Sequence, residues 1–154
     1  MDIKTISAFL KNIELFKDLT DQERELIAHK VKVRNLKANE FLFQENTLRK
    51  NLFLIYEGEV ELFKKTSFGE EKRLTFFSKF DFLGEGALLD DYPHSTSARS
   101  LLPSTLLTIE IDEFRALRQD NPALAGKILA AVARVISRRM RQTTTRVVNA
   151  GAQY

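Results

Sequence analysis

Residues with the type and spacing to do chemistry gather in one stretch of this 154-residue chain, Phe82-Leu83-Gly84-Glu85-Gly86-Ala87-Leu88-Leu89 and the Asp90-Asp91-Tyr92-Pro93-His94-Ser95 that follows. Gly84, Glu85 and Gly86 open a run of small residues whose backbone N–H groups can point outward unobstructed. Leu88 and Leu89 suggest a single helical turn anchored in a core. A turn with free N-terminal amides is a cradle for an anionic group such as a phosphate. Glu85 is an acceptor, suited to a sugar hydroxyl rather than to the phosphate. Asp90 to Pro93 reads as a turn, and a strand returning from His94 to Leu102 brings His94 and Ser95 back near the cradle. Alone, Gly-Glu-Gly-Ala-Leu is a weak motif, because glycine turns mostly just connect strands.

Catalysis finds little to work with. The only histidines, His29 and His94, lie far apart in sequence, and Asp90 and Asp91 read as a solvated turn. The chain has no cysteine, which excludes a disulfide, a thiolate metal site and a cysteine nucleophile. No metal-ligand spacing, P-loop or nucleophile motif is present. The expectation is a non-enzyme with no metal and no cofactor beyond a bound ligand.

The elements that must position the stretch follow from periodicity. Ile6, Phe9, Leu10 and Ile13 predict a helix over about residues 2–15. Thr20-Asp21-Gln22-Glu23 is a capping box opening a second helix, with Leu26 and Ile27 as its buried face. From Val31 the period changes to two, through Phe41 and Phe43, then Leu52, Leu54 and Tyr56. Gly58 separates Leu54–Glu57 from Val60–Phe63, Ser67 to Glu71 is a hairpin tip, and Thr105–Ile111 closes a block of about eight strands. Many short strands at regular spacing indicate a sandwich or barrel. Asp112-Glu113-Phe114 starts a short helix and Asn121-Pro122 caps a long one. Along the long helix Leu124, Ile128, Ala131 and Val135 form one stripe, facing the β domain. Leu129, Val132, Ile136, Met140, Thr143 and Val147 form a second, spaced like a coiled-coil seam. The expected class is mainly β with flanking helices, as one domain over 1–154, with helices in 1–30, strands in 31–111 and helices in 112–154.

Charge divides unevenly. Residues 121–154 carry six basic and no acidic side chains, whereas the first 120 carry 18 basic against 21 acidic. Such a tail either contacts nucleic acid or lipid or, as expected here, complements the helix dipole and stays solvated. The N-terminus lacks the pattern of a signal peptide, and no apolar run approaches membrane-spanning length, so a cytoplasmic location is expected.

In this order the chain resembles the cyclic nucleotide-binding domain family, seen in the catabolite activator protein and in protein kinase A regulatory subunits. Leu15-Phe16-Lys17-Asp18-Leu19 is similar to its opening segment, Glu57-Gly58-Glu59-Val60 to its mid-barrel glycine turn, and Phe82–Leu89 to its phosphate-binding cassette. The resemblance implies an eight-stranded jelly-roll-like barrel with a long C-terminal helix. It implies that Glu85 accepts from the ribose 2′-hydroxyl and that amides around Gly84, Gly86, Ala87 and Leu88 hold the cyclic phosphate, with Ser95 beside it. It places the purine near Leu62, Leu74 and Thr75, with Thr143 and Thr144 of the long helix as further candidates. The implied ligand is a cyclic nucleotide, cAMP ahead of cGMP, with the signal relayed by the C-terminal helices to an unknown downstream protein. A homodimer through the last helix is expected, with no specific nucleic-acid partner and no membrane. The bacterial activators continue into a helix-turn-helix, whereas this chain stops after the long helix, so a stand-alone module is expected.

Five positions depart from the family pattern. Asn39 and Asn46 replace turn glycines, which their tolerance of left-handed backbone makes harmless. Phe80 stands where a glycine is usual and is expected to reshape that turn. Gly86 replaces an apolar residue and is expected to loosen the cradle. His94 occupies the position of the arginine that pairs with the cyclic phosphate, exchanging a permanent charge for one that titrates near pH 6.5. If protonated His94 does that work, binding tightens as pH falls. Otherwise an arginine of the long helix, Arg138 or Arg139, reaches in, or the fold serves as a ligand-free or altered-ligand scaffold for dimerisation or protein interaction.

Overall fold

The computed structural model describes residues 1–152, and the last two residues of the helical segment expected over 112–154 lie outside them. The strands are β1 (Val31–Leu36), β2 (Phe41–Phe43), β3 (Asn51–Glu57), β4 (Val60–Lys65), β5 (Glu71–Phe77), β6 (Phe82–Leu83), β7 (Ser97–Ser100) and β8 (Ser104–Glu110). They pair antiparallel in two four-stranded sheets, ordered β1-β8-β3-β6 and β2-β7-β4-β5, the jelly-roll arrangement. Alternation along β3 and β8 sorts their apolar residues into two cores. Leu52, Leu54, Leu107 and Ile109 face the helices, while Phe53, Ile55 and Leu106 fill the space between the sheets.

Four helices cover the outer face of the first sheet: α1 (Ile3–Leu10), α2 (Asp21–Ala28), α3 (Ile111–Asp120) and α4 (Pro122–Gly151). The single helix expected over 2–15 is broken. Ile13 is extended, and the chain restarts as a 3-10 turn at Glu14–Phe16, which lets Ile13, Leu15 and Phe16 all bury. The capping box forms, with Thr20 Oγ accepting from the Glu23 amide and the Glu23 carboxylate from the Thr20 amide, both at 3.2 Å. The buried face of α2 differs from expectation: Leu26 is 50% exposed, and Arg24 goes inward beside Ile27. Its guanidinium donates to the carbonyls of Phe16 and Leu19, which is how a buried charge is tolerated there.

The Asn121 side chain caps α4, accepting from the Leu124 amide at 3.2 Å, with Pro122 next in the chain. The stripe Leu124, Ile128, Ala131 and Val135 is buried as expected. Of the second stripe, Val132 joins the core and Leu129 and Ile136 are half-buried, but Met140 and Val147 are exposed. Beyond Arg139 every described residue of α4 faces solvent. The basic residues of α4 are not simply solvated. Lys127 pairs with Glu23, Arg134 with Asp18 and Arg138 with Glu14, so the uneven charge becomes a set of contacts between α4 and the N-terminal helices. Among the described residues no helix is long and apolar enough to cross a membrane.

Asn39 and Asn46 adopt φ of 65° and 66°, as their residue type allows. Phe80 holds the same left-handed conformation, with φ 73°. Its ring stacks on Phe9 at 5.1 Å and its amide donates to the Ile55 carbonyl, packing that offsets a backbone cost of about 1–3 kcal/mol. Adjacent residues of α2 give a sharp test of the packing. Ile27→Ala is expected to cost about 2–5 kcal/mol in urea unfolding, and Leu26→Ala no more than about 0.5 kcal/mol.

Candidate functional site

The cassette begins where β6 ends. Gly84 adopts φ 86°, and a Cβ there would lie 2.6 Å from the Asn51 carbonyl at the start of β3, so only glycine fits. The chain then forms a 3-10 turn, Glu85–Leu88, with the Ala87 amide donating to the Gly84 carbonyl at 3.2 Å. Ala87 and Leu88 bury against the helices and anchor the turn, while Leu89 is 49% exposed and does not. What faces outward is Gly84, Glu85 and Gly86, which form one wall of a cavity of about 400 Å³. Leu62, Phe77 and Phe43 form an apolar side, and His94, Ser95, Arg49 and Arg139 complete the lining. Among the described residues no cluster of His, Asp and Glu is arranged to hold a metal ion.

Glu85 is half-buried and forms an ion pair with Arg139, which also lies 5.3 Å over the Phe82 ring. Of the two arginines of the long helix considered from sequence, Arg139 thus reaches the site and Arg138 is spent on Glu14. Arg99 is held elsewhere, by Glu61 and Glu71.

His94 is not the titrating cation expected from its position. The imidazole is 6% exposed and stacks flat on Phe43, with centroids 3.7 Å apart. Burial, with the charge of Arg49 as the second cause, lowers its pKa to about 4, so it is neutral at physiological pH. Its backbone bonds to the Thr47 carbonyl and the Asn46 amide fix the returning chain beside the cassette. Binding that tightens through protonation of His94 near neutral pH does not fit this environment.

The residue sequence reasoning missed is Arg49. It lies just before β3, its side chain is 14% exposed, and its guanidinium donates to the Asp90 carbonyl at 3.2 Å and pairs with the Asp90 carboxylate. Gly86 is shaped to it: a Cβ at Gly86 would fall 2.1 Å from Arg49 Nη1. The glycine expected to loosen the cradle instead makes room for a guanidinium. The one signal available was the coincidence of a lost side chain at Gly86 and a lost arginine at His94.

Four expected purine-side residues fall outside the cavity. Leu74 and Thr75 lie on β5, which pairs only with β4. A register shift opposite Leu62 and Phe63 makes Leu74 an extra residue, and both Leu74 and Thr75 are exposed. Thr143 and Thr144 lie beyond the point where α4 leaves the body. Their hydroxyls donate back to the carbonyls of Arg139 and Met140, each at 3.0 Å. Leu62 does line the cavity, and Phe43 and Phe77 supply apolar surface in place of the others.

A family model described as a cyclic nucleotide-binding domain matches residues 33–121. The chain belongs to that family. It is 28% identical over 125 residues to a cyclic AMP receptor protein of Thermus thermophilus, a match covering 81% of this chain and 58% of that one. It is 30% identical over 110 residues to a cAMP-dependent protein kinase regulatory subunit of Emericella nidulans, covering 71% of this chain and 26% of the relative. The chain therefore spans little more than half of one relative and about a quarter of the other. A cyclic nucleotide-binding domain from Methylobacillus flagellatus shares the fold with a TM-score of 0.81 at 22% identity, over 95% of this chain and 82% of that one. In this chain the cavity is lined on its cassette side by Gly84–Gly86, with a neutral imidazole at position 94 and guanidinium groups arriving from α4 and from the loop before β3.

A neutral buried His94 has a consequence for stability. Its pKa is about 4 folded and near 6.5 unfolded, so the unfolded state binds the extra proton between those values. Stability is then full above pH 6.5 and declines as pH falls towards 4. Urea unfolding at pH 7, 6 and 5 is expected to show this decline, and His94→Phe, which keeps a ring on Phe43, to flatten it over the same interval.

Proposed function

We propose that this domain binds a cyclic nucleotide, cAMP ahead of cGMP, and reports its presence through α4. One observation carries the reading: a half-buried carboxylate, Glu85, and the side-chain-free backbone of Gly84 and Gly86 share one wall of a cavity large enough for a small ligand. In this reading the cyclic phosphate sits against Gly84–Gly86 near Ser95, and the ribose hydroxyl donates to Glu85. The purine lies along Leu62, Phe77 and the Phe43–His94 stack. The names of the Thermus and Emericella relatives support cAMP as the first ligand to test.

The relay follows from what Glu85 touches. Its carboxylate is held by Arg139, so a ribose hydroxyl arriving there competes with α4 for the same oxygens. Ligand binding then biases where α4 sits, provided the two positions differ in affinity for the ligand. The far half of α4 presents Ile136, Met140, Val147 and Val148 around an open apolar groove. A second copy of the chain, meeting it along the heptad-like seam, is the partner we assign to that face. A scaffold that dimerises without ligand rests on the same seam and is the alternative.

Calorimetric titration with cAMP and cGMP separates these readings. Wild type is expected to bind cAMP, and Glu85→Ala to weaken it roughly 10- to 100-fold. No heat at millimolar nucleotide turns the reading to the scaffold. Light scattering tests the seam independently: wild type is expected at the mass of two chains, and Met140→Glu with Val147→Glu at the mass of one.

A further inference from the structure

We propose that Arg49 supplies the permanent positive charge for the anionic group of the ligand, replacing an arginine at position 94 with one delivered from the loop before β3. This rests on the cyclic-nucleotide reading above and adds to it a residue that no feature of the cassette itself contains.

Three observations converge on Arg49. Its guanidinium lies against the backbone of Gly86, in the volume that any other residue at that position would fill with its own side chain. That is the turn where the phosphate is placed, so the charge and the cradle share one surface. Arg49 Nε is buried with no hydrogen-bond partner, the only such side-chain atom among the described residues. Arg49 also lines the cavity, so its positive charge adjoins the space that a ligand anion would occupy. The other contacts of Arg49 come from Asp90, whose side chain is 65% exposed, so this counter-ion can be exchanged for a ligand anion without uncovering a core.

The neighbouring cations are committed elsewhere. Arg139 is engaged by Glu85, and Lys64 by Glu45 and the Ser95 carbonyl. His94 contributes a neutral ring, whose flat stack on Phe43 closes the wall next to Arg49 without placing a second charge there. A planar fork of donors suits two oxygens of a phosphate, and its charge does not depend on pH.

The test is titration of wild type, Arg49→Ala, Arg49→Lys and Gly86→Ala with cAMP and, as a probe lacking phosphate, adenosine, at pH 6 and pH 8. Arg49→Ala is expected to weaken cAMP roughly 30- to 4,000-fold while leaving adenosine affinity within about threefold. Arg49→Lys is expected to recover only part of the loss, since it keeps charge but not the fork. Gly86→Ala, which pushes the guanidinium from its seat, is expected to weaken cAMP in the same selective way with every charge still present. Wild-type affinity is expected to be the same at both pH values. cAMP affinity within threefold of wild type in Arg49→Ala overturns the assignment and leaves the cyclic-nucleotide reading standing. Equal losses for cAMP and adenosine also overturn it, as the mark of a collapsed site. A wild type that takes up neither compound overturns both.

Discussion

The cassette rests on the start of β3 through two residues that have no side chain. Gly84 lies against the Asn51 carbonyl, and Gly86 against the guanidinium of Arg49. A Cβ at Gly84 would meet fixed backbone, and one at Gly86 would displace the end of the Arg49 side chain. Because Gly84 turns with positive φ, the following 3-10 turn buries Ala87 and Leu88 and leaves Glu85 facing the cavity. Because Gly86 is bare, a cation from another loop enters the same wall. The β3 strand beneath is among the most buried in the molecule, with Leu52, Phe53, Leu54 and Ile55 at 2% exposure or less. The loop is therefore seated on a rigid support, which is the condition for holding a ligand in one orientation.

The attachment of α4 is of a different kind at its two ends. Its first half is held by the buried stripe from Leu124 to Val135, reinforced by ion pairs of Lys127, Arg134 and Arg138. Exposed pairs of this type contribute about 0–1 kcal/mol each, so burial dominates. Arg138 is the best placed, meeting both oxygens of Glu14 at 2.6 and 2.7 Å. At Arg139 the apolar stripe has run out, and this one residue, paired with Glu85 and lying over the Phe82 ring, connects the helix to the site. A helix held firmly along one half and by a single residue at the margin can be moved at the margin without unfolding.

Much of this was legible in the sequence because it is local. The capping box at Thr20, the Asn121-Pro122 start of α4, the alternation in the strands and the stripe of Leu124, Ile128, Ala131 and Val135 each depend on spacing alone. So did the cassette, whose glycines and Glu85 lie within three consecutive positions. What was not legible depends on packing between distant segments. Leu74 and Thr75 alternate as strand residues should, but a register shift and an uncovered edge leave them in solvent. Thr143 continues a helical seam without any sign that the body of the domain ends at Arg139. The state of His94 is set by Phe43 and Arg49, and the meaning of Gly86 by Arg49. None of these pairs is close in sequence, and each reverses what the single residue implies.

The electrostatics of the cavity tie these exceptions together. Burial disfavours the charged form of the His94 imidazole, and the nearby guanidinium of Arg49 adds to that, so the ring is neutral at physiological pH. An arginine at position 94 would bring a second guanidinium to the wall that Arg49 already occupies, and a larger residue at position 86 would collide with Arg49. Arg49, Gly86 and His94 thus meet at one wall of the cavity. The permanent charge at this wall comes from the loop before β3, through Arg49. That loop leads directly into β3, whose Leu52 and Leu54 join the helical core, so the guanidinium at the cavity and the apolar contacts to the helices belong to one continuous segment.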